Sequence, residues 1–164
     1  MSLQTSIMVD IAATLTGSLD LESLSSRLGQ QVSVDLDDGS GASQANKIWT
    51  DRRTLAAGAS ETLDLDGQTG AFGTTVAFAK IKAVLIRSLT ANTTALTVGA
   101  AASNGWVGPF GAAANTVTIG AGGLMLLVNP TSAGMPVVAS TGDQLKIANG
   151  AGAAATYDII LIGA

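Results

Sequence analysis

The chain of 164 residues contains neither cysteine nor histidine. Disulfides, thiol nucleophiles, Cys- or His-built zinc sites and every His-dependent triad are therefore excluded. Aromatic residues make up 4% and charged residues 12%, against about 25% charged in an average domain. Much of the apolar share of 47% is thus alanine, and 20 glycines add to the small side chains. Small side chains bury little area each, so stability has to come from close backbone packing, long sheet ladders or partner subunits. No apolar run approaches the ~20 residues of a membrane-spanning helix; the longest are Leu124–Val128 and Ile159–Ile162. Residues 1–10 lack the basic region and apolar core of a secretory leader, so a soluble compartment without membrane contact is expected.

The few charges are unevenly placed. The net charge is −4, and from Ser88 to Gly142 there is no Asp, Glu, Lys or Arg. A solvated surface usually carries about 25–35% charged residues. Either Thr, Ser, Asn and Gly solvate this half, or sister subunits cover part of it, since low charge marks the centre of an interface.

What the chain has is alternation. Ile7, Val9 and Ile11 alternate with polar or small residues, as do Val32, Val34 and Leu36 before the turn Asp37-Asp38-Gly39-Ser40-Gly41. Leu63 and Leu65 alternate with Asp64 and Asp66, and a long run leads through Val76 to Leu89. Further strands are expected at Ala95–Val98, Thr116–Ile119, Leu124–Val128, Pro136–Ala139, Gln144–Ala148 and Thr156–Ile162. About ten short strands with turn signals every ~8–12 residues predict an all-β antiparallel sandwich, jelly roll or barrel. One stretch is ambiguous: Leu21, Leu24 and Leu28 have helical spacing with Gly29 as a stop signal, yet they also fit a strand. The Gly- and Ser-rich stretch Gly39–Ser43 suggests an N-terminal β arm over residues 1–44 and a β-sandwich over 45–164; a hairpin loop inside a single sandwich is the other reading.

Candidate chemistry is sparse. Gly150–Ala155 superficially matches a dinucleotide loop, but such a loop needs a following helix, and Thr156–Ile162 reads as a strand. Asp35, Asp37 and Asp38 fail the calcium-loop pattern, with Gly39, Ser40 and Asn46 where a ligand, glycine and glutamate are required. Lys47, Arg52 and Arg53 flank Trp49, but Asp51 interrupts them and the chain is acidic, which opposes a phosphate backbone. Salt bridges, internal or to a neighbour, suit these charges better. Trp106 and Phe110 lie in the Gly-rich segment Asn104–Gly111. They either plug the end of a core, anchor a subunit interface or offer a stacking platform for a sugar. Trp106, Phe110, Trp49, Arg52 and Arg53 are thus the candidate interface or ligand contacts. No spacing supports a catalytic, cofactor or metal site, and a non-enzymatic protein is expected.

A series of motifs carries more information. It runs Lys47-Ile48-Trp49-Thr50-Asp51-Arg52-Arg53-Thr54-Leu55, Glu61-Thr62-Leu63-Asp64-Leu65-Asp66-Gly67 and Phe78-Ala79-Lys80-Ile81-Lys82. Leu96-Thr97-Val98-Gly99-Ala100 and Trp106-Val107-Gly108-Pro109-Phe110 follow, and Gly142–Asn149 and Tyr157–Gly163 close it. In order and spacing, from about Asp35 to Ala164, this resembles a family of small virion proteins of tailed bacteriophages. The resemblance implies a β-sandwich of jelly-roll type and a structural role, as a capsid decoration or cement protein. It supplies no catalytic residues. The expectation is a homo-oligomer, a trimer, docked on the phage major capsid protein at the virion surface after assembly in the host cytoplasm. It would bind no nucleic acid and carry no cofactor. A receptor- or glycan-binding head fibre or tail component, using loops near Trp106 and Phe110, is the alternative.

Overall fold

The computed structural model describes residues 2–164, and among these there is no helix. The strands in chain order are β1 (Thr5–Ser18), β2 (Ser23–Leu36), β3 (Lys47–Leu55), β4 (Ser60–Asp64), β5 (Gln68–Thr69), β6 (Thr75–Val76) and β7 (Lys80–Ser88). They continue as β8 (Leu96–Gly99), β9 (Thr116–Ile119), β10 (Leu124–Val128), β11 (Met135–Pro136), β12 (Gln144–Asn149) and β13 (Ala155–Gly163). The all-β expectation holds. The helical alternative around Leu21–Leu28 does not: Ser23–Leu36 is one continuous strand. The physical reason lies in the spacing. Leu24 and Leu28 are four apart, which is close to a helical turn but also an even number, so a strand places both on one face.

Two antiparallel sheets face each other in a sandwich-like body. One has the order β10-β7-β13-β3 with β11 appended to β7, and the other β4-β12-β8-β9. The pairings are nested: β3 with β13, β4 with β12, β7 with β10, and β8 with β9. Two further ladders, β13 with β7 and β12 with β8, stitch these pairs into sheets.

Alternation decides which side chains enter the space between the sheets. From the first sheet come Trp49, Leu55, Val84, Ile86, Met125, Tyr157, Ile159 and Leu161; from the second come Leu63, Leu96, Val98, Ile119, Leu145 and Ile147. Phe78, fully buried, sits on the segment leading into β7 and joins the same core. The aromatic-poor chain therefore spends most of its rings here. Apolar burial stabilises by roughly 25 cal/mol per Å2, so each ring counts for more than the alanines around it.

Among the described residues every buried side-chain nitrogen and oxygen has a hydrogen-bond partner. Asn149 donates to the carbonyls of Leu55, Ala56 and Ala153 and accepts from Thr94 Oγ1. Asn92 donates to Thr156 O and accepts from Thr156 N. An unmade bond at such a site would cost about 1–3 kcal/mol, so these amides fix their loops at the end of the sandwich.

β1 and β2 stand apart from the sandwich. They form a two-stranded antiparallel ribbon in continuous register from Thr5↔Leu36 to Ser18↔Ser23. Its root rests on the outer face of the first sheet, where Leu36, Ala45, Ala83 and Ile162 form a second buried cluster with Leu3, Ile7, Val34, Val128 and Ile160 against it. Two lysines hold the connection from β2 to β3. Lys80 Nζ donates to Ser40 O and Ser132 O. Lys82 Nζ donates to Gly41 O and Thr131 O. Lys82 is fully buried, and desolvation pushes its pKa below the usual lysine value.

At the far end of β13 the register against β7 shifts between Ile162 and Gly163. A Cβ built on Gly163 would overlap Lys80 O and lie 3.0 Å from Phe78 Cδ1. The Gly163→Ala variant should therefore lose about 1–3 kcal/mol or more through forced backbone shifts, read as a lower urea midpoint; an unchanged midpoint would mean that the bulge is not held this tightly.

Candidate interaction surfaces

The ribbon is amphipathic over its full length. One face carries Ile7, Val9, Ile11, Ala13, Leu15 and Gly17 from β1, opposite Val34, Val32, Gln30, Leu28, Ser26 and Leu24 from β2. The other face carries Ser6, Met8, Asp10, Ala12, Thr14, Thr16 and Ser18, opposite Asp35, Ser33, Gln31, Gly29, Arg27, Ser25 and Ser23. The alternation of the sequence thus resolves into an apolar side and a side mostly of hydroxyls, amides and charges.

Only the root of the apolar side is covered. Beyond Ile7 and Val34, the side chains of Val9, Ile11, Leu15, Leu24, Leu28 and Val32 are exposed, and Leu21 at the tip is 96% exposed. A two-stranded hairpin is marginally stable in water unless something packs on its face. Contiguous exposed apolar surface of this kind marks an interaction site.

A second apolar surface adjoins the root. The outward residues of the first sheet are Leu124, Leu126 and Val128 on β10, Ala83 and Leu85 on β7, and Ile160 and Ile162 on β13, aligned by their register. Leu124 is exposed, while Leu85, Leu126 and Ile160 are half-buried. With Ile7 and Met8 of the ribbon, part of this surface lines a groove of about 250 Å3. A cation–carboxylate row borders it. Asp158 on β13 pairs directly with Arg52 on β3 and Arg87 on β7 in the register. Its oxygens receive Arg52 Nε at 2.6 Å and Arg87 Nη2 at 2.5 Å. The hydrogen bond from Arg52 is the largest cause that holds the Asp158 carboxyl down at about 2.

The residues singled out in the sequence occupy different places. Trp106 is buried, with 3% exposure, and its Nε1 donates to Pro136 O at 2.8 Å. Phe110, half-buried, meets it edge-to-face with centroids 6.1 Å apart. Together they close one end of the core and hold the long Gly-rich loop down. Trp49 is also buried, and its Nε1 donates to Thr69 O. Arg53 is tied inward: it pairs with Glu61 and Asp51, while the buried Tyr157 hydroxyl donates to the other Glu61 oxygen at 2.9 Å. This network bridges the two sheets, and desolvation raises the Tyr157 pKa. Arg52 alone of the five lies mainly at the surface, in the row with Asp158.

Sequence reasoning missed Phe72. It is 78% exposed at the turn between β5 and β6 and lines a cleft of about 360 Å3 with Leu3, Lys47 and Ile48. The available signal was an aromatic flanked by Gly70 and Gly73 in a turn. Among the described residues no group of three Asp or Glu side chains could hold a metal ion; Asp38 instead accepts the backbone N–H of Leu3. Comparison with protein-family models gives no match, and no curated protein matches the chain.

The Asp158 row makes a pH prediction. Its carboxyl falls from its ordinary value of 3.8 to about 2 on folding. A depressed carboxylate stabilises the fold above the unfolded value, and that contribution disappears as pH falls through the folded one. Acid titration of stability should thus steepen between about 4 and 2. Asp158→Asn should flatten that segment and lower stability at pH 7. An identical acid limb in the variant would show that the row contributes nothing.

Proposed function

We propose that this chain is a non-enzymatic structural protein of a tailed-phage virion, of the capsid decoration or cement type. In this reading it works as a homo-oligomer, a trimer, that binds the major capsid protein of the assembled head at its outer surface, after synthesis in the host cytoplasm. The observation that carries the reading is the ribbon: residues 5–36 form an arm whose apolar face is left open to water. Such an arm is explained by an assembly in which another polypeptide covers it. The order of motifs from Lys47 to Gly163 supplies the phage context.

The body is read as a jelly roll. Eight main strands, four in each sheet with the two-residue β11 added to the first, and the nested partners β3–β13, β4–β12, β7–β10 and β8–β9 support this. This is the arrangement of a long ribbon of hairpins folded over on itself, as in capsid and lectin jelly rolls. The charge-free stretch supports an assembled role as well. Its loops around Ala102–Asn104, Ala112–Asn115 and Thr131–Ala133 are exposed and bear only small or uncharged side chains, the composition suited to contact between copies or with a shell.

Mechanistically the protein acts by linkage. A molecule that binds the closed shell but not its dissociated subunits stabilises the shell by the free energy of that binding. Many identical contacts add through multivalency. The arm can reach a neighbour either by its face or by adding its free edge to another sheet.

The alternative role as a receptor- or glycan-binding component needs aromatic rings open to a ligand. Trp106, at 3% exposure, offers no stacking face. Phe72 is the one exposed ring among the described residues, and a single ring is a weak platform.

The test is made on particles. Purified virions should contain the chain in a fixed, saturable ratio to the major capsid protein. Shells lacking it should rupture at lower temperature and regain resistance when the purified chain is added. Absence of the chain from washed particles, or added chain that neither binds nor protects shells, would sink the reading.

A further inference from the structure

The exposed part of the ribbon has a relief as well as a polarity. Moving outward from the root, the rungs of its apolar face are Val9 with Val32, Ile11 with Gln30, Ala13 with Leu28, Leu15 with Ser26, and Gly17 with Leu24. In the outer three rungs a large side chain faces a small one, and the large one switches strand each time. Leu24, Leu15 and Leu28 therefore zigzag as knobs, and Gly17, Ser26 and Ala13 are the hollows between them. A surface built this way is complementary to another copy of itself, because apolar faces interdigitate best where large and small positions alternate.

Charge is arranged to match. The ionic side chains of the two strands before the root, Asp10 and Arg27, both lie on the opposite face. Along the strands, two copies can bring their apolar faces together without desolvating an ion; the acids Asp20 and Glu22 lie beyond them, in the turn. The exposed rungs from Val9 to Gly17 span about 30 Å, and with a width of about 10 Å each face covers roughly 300 Å2 in projection. Standard interfaces bury about 800 Å2 per partner. The arm thus supplies a substantial fraction, and the apolar outer surface of the first sheet, continuous with its root, can supply more.

We infer that the arm's partner is a second copy of this chain, and that arms pack apolar face against apolar face, with the Leu24–Leu15–Leu28 knobs seated in the hollows at Gly17, Ser26 and Ala13. The inference deepens the assembly reading and rests on it only for the biological setting. The arm is a self-association element. It leaves the body free to meet the shell.

The chain has no cysteine, so a single introduced thiol is a unique reporter. Ala13→Cys places it in the middle of the apolar face; Thr14→Cys places it one residue on, on the polar face. With a short bismaleimide, the full-length Ala13→Cys protein should give cross-linked dimers at least ten-fold faster than Thr14→Cys. Face-to-face pairing joins copies two by two, so it is additional to the contact that closes the proposed trimer; Leu28→Asp, on the Ala13 rung, should remove it and lower the sedimenting mass. Both tryptophans lie in the body, so unchanged tryptophan emission would show that the sandwich remains folded. Equal cross-linking of the two thiols, no linked product from Ala13→Cys, or an oligomer unmoved by Leu28→Asp would each overturn the proposal. A monomeric wild-type chain that binds shells through its arm would overturn it and leave the virion reading standing. Arm-dependent oligomers that never join a particle would do the reverse.

Discussion

A two-stranded ribbon has a single ladder of backbone hydrogen bonds and two faces, and water reaches both unless something is laid against one of them. In this protein that constraint sets the relation between the arm and everything else. The root satisfies it locally, through Ile7, Val34 and Leu36 against Ala83 and Ile162. The outer two-thirds does not, and its apolar residues stay exposed along a ladder of unbroken register. The sandwich can be understood as a platform that presents this arm, with Lys80 and Lys82 locking the joint through carbonyls of the Ser40–Gly41 and Thr131–Ser132 loops.

The body shows how a chain with few rings and few charges still reaches a defined core. Its large side chains are concentrated between the sheets, and its scarce cations serve mostly as hydrogen-bond donors or in short ion-pair rows. Lys47, Lys80 and Lys82 each donate to backbone carbonyls. Arg53 joins Glu61 and Tyr157 across the sheets, and Asp158 gathers Arg52 and Arg87 across three strands. Amide side chains do the rest of the polar work at the sandwich end. Most cations of this fold thus have an internal partner.

Much of the strand layout was legible because period-two alternation is a local property. Thr116–Ile119 and Leu124–Val128 have the bounds expected from sequence, and Gln144–Asn149 and Ala155–Gly163 each differ at the ends. Where Pro136–Ala139 was expected, only Met135–Pro136 pairs with β7, because the chain then leaves that ladder and Val138 closes a turn by bridging Gly142. Leu21–Leu28 was ambiguous because a four-residue spacing satisfies both periods. The candidate contacts were harder to place. Whether Trp49 and Trp106 face a partner or a core depends on which sheet lies opposite, and that is fixed by residues far away in sequence. The ribbon's alternation was visible at Ile7–Ile11 and Val32–Leu36. Its amphipathic pairing needed the register, which joins residues up to 31 positions apart.

The position of β13 carries a consequence for synthesis. This strand, over Ala155–Gly163, lies in the interior of its sheet with β7 on one side and β3 on the other. β3 and β7 share no ladder without it. A nascent chain therefore cannot complete that layer until Gly163 has left the ribosome, however early the local hairpins form. Contacts of such large sequence separation make closure slow. During that interval the open edges of β3 and β7 are exposed to other nascent copies, so low local crowding, or a chaperone that shields strand edges, would govern how much chain reaches its finished form.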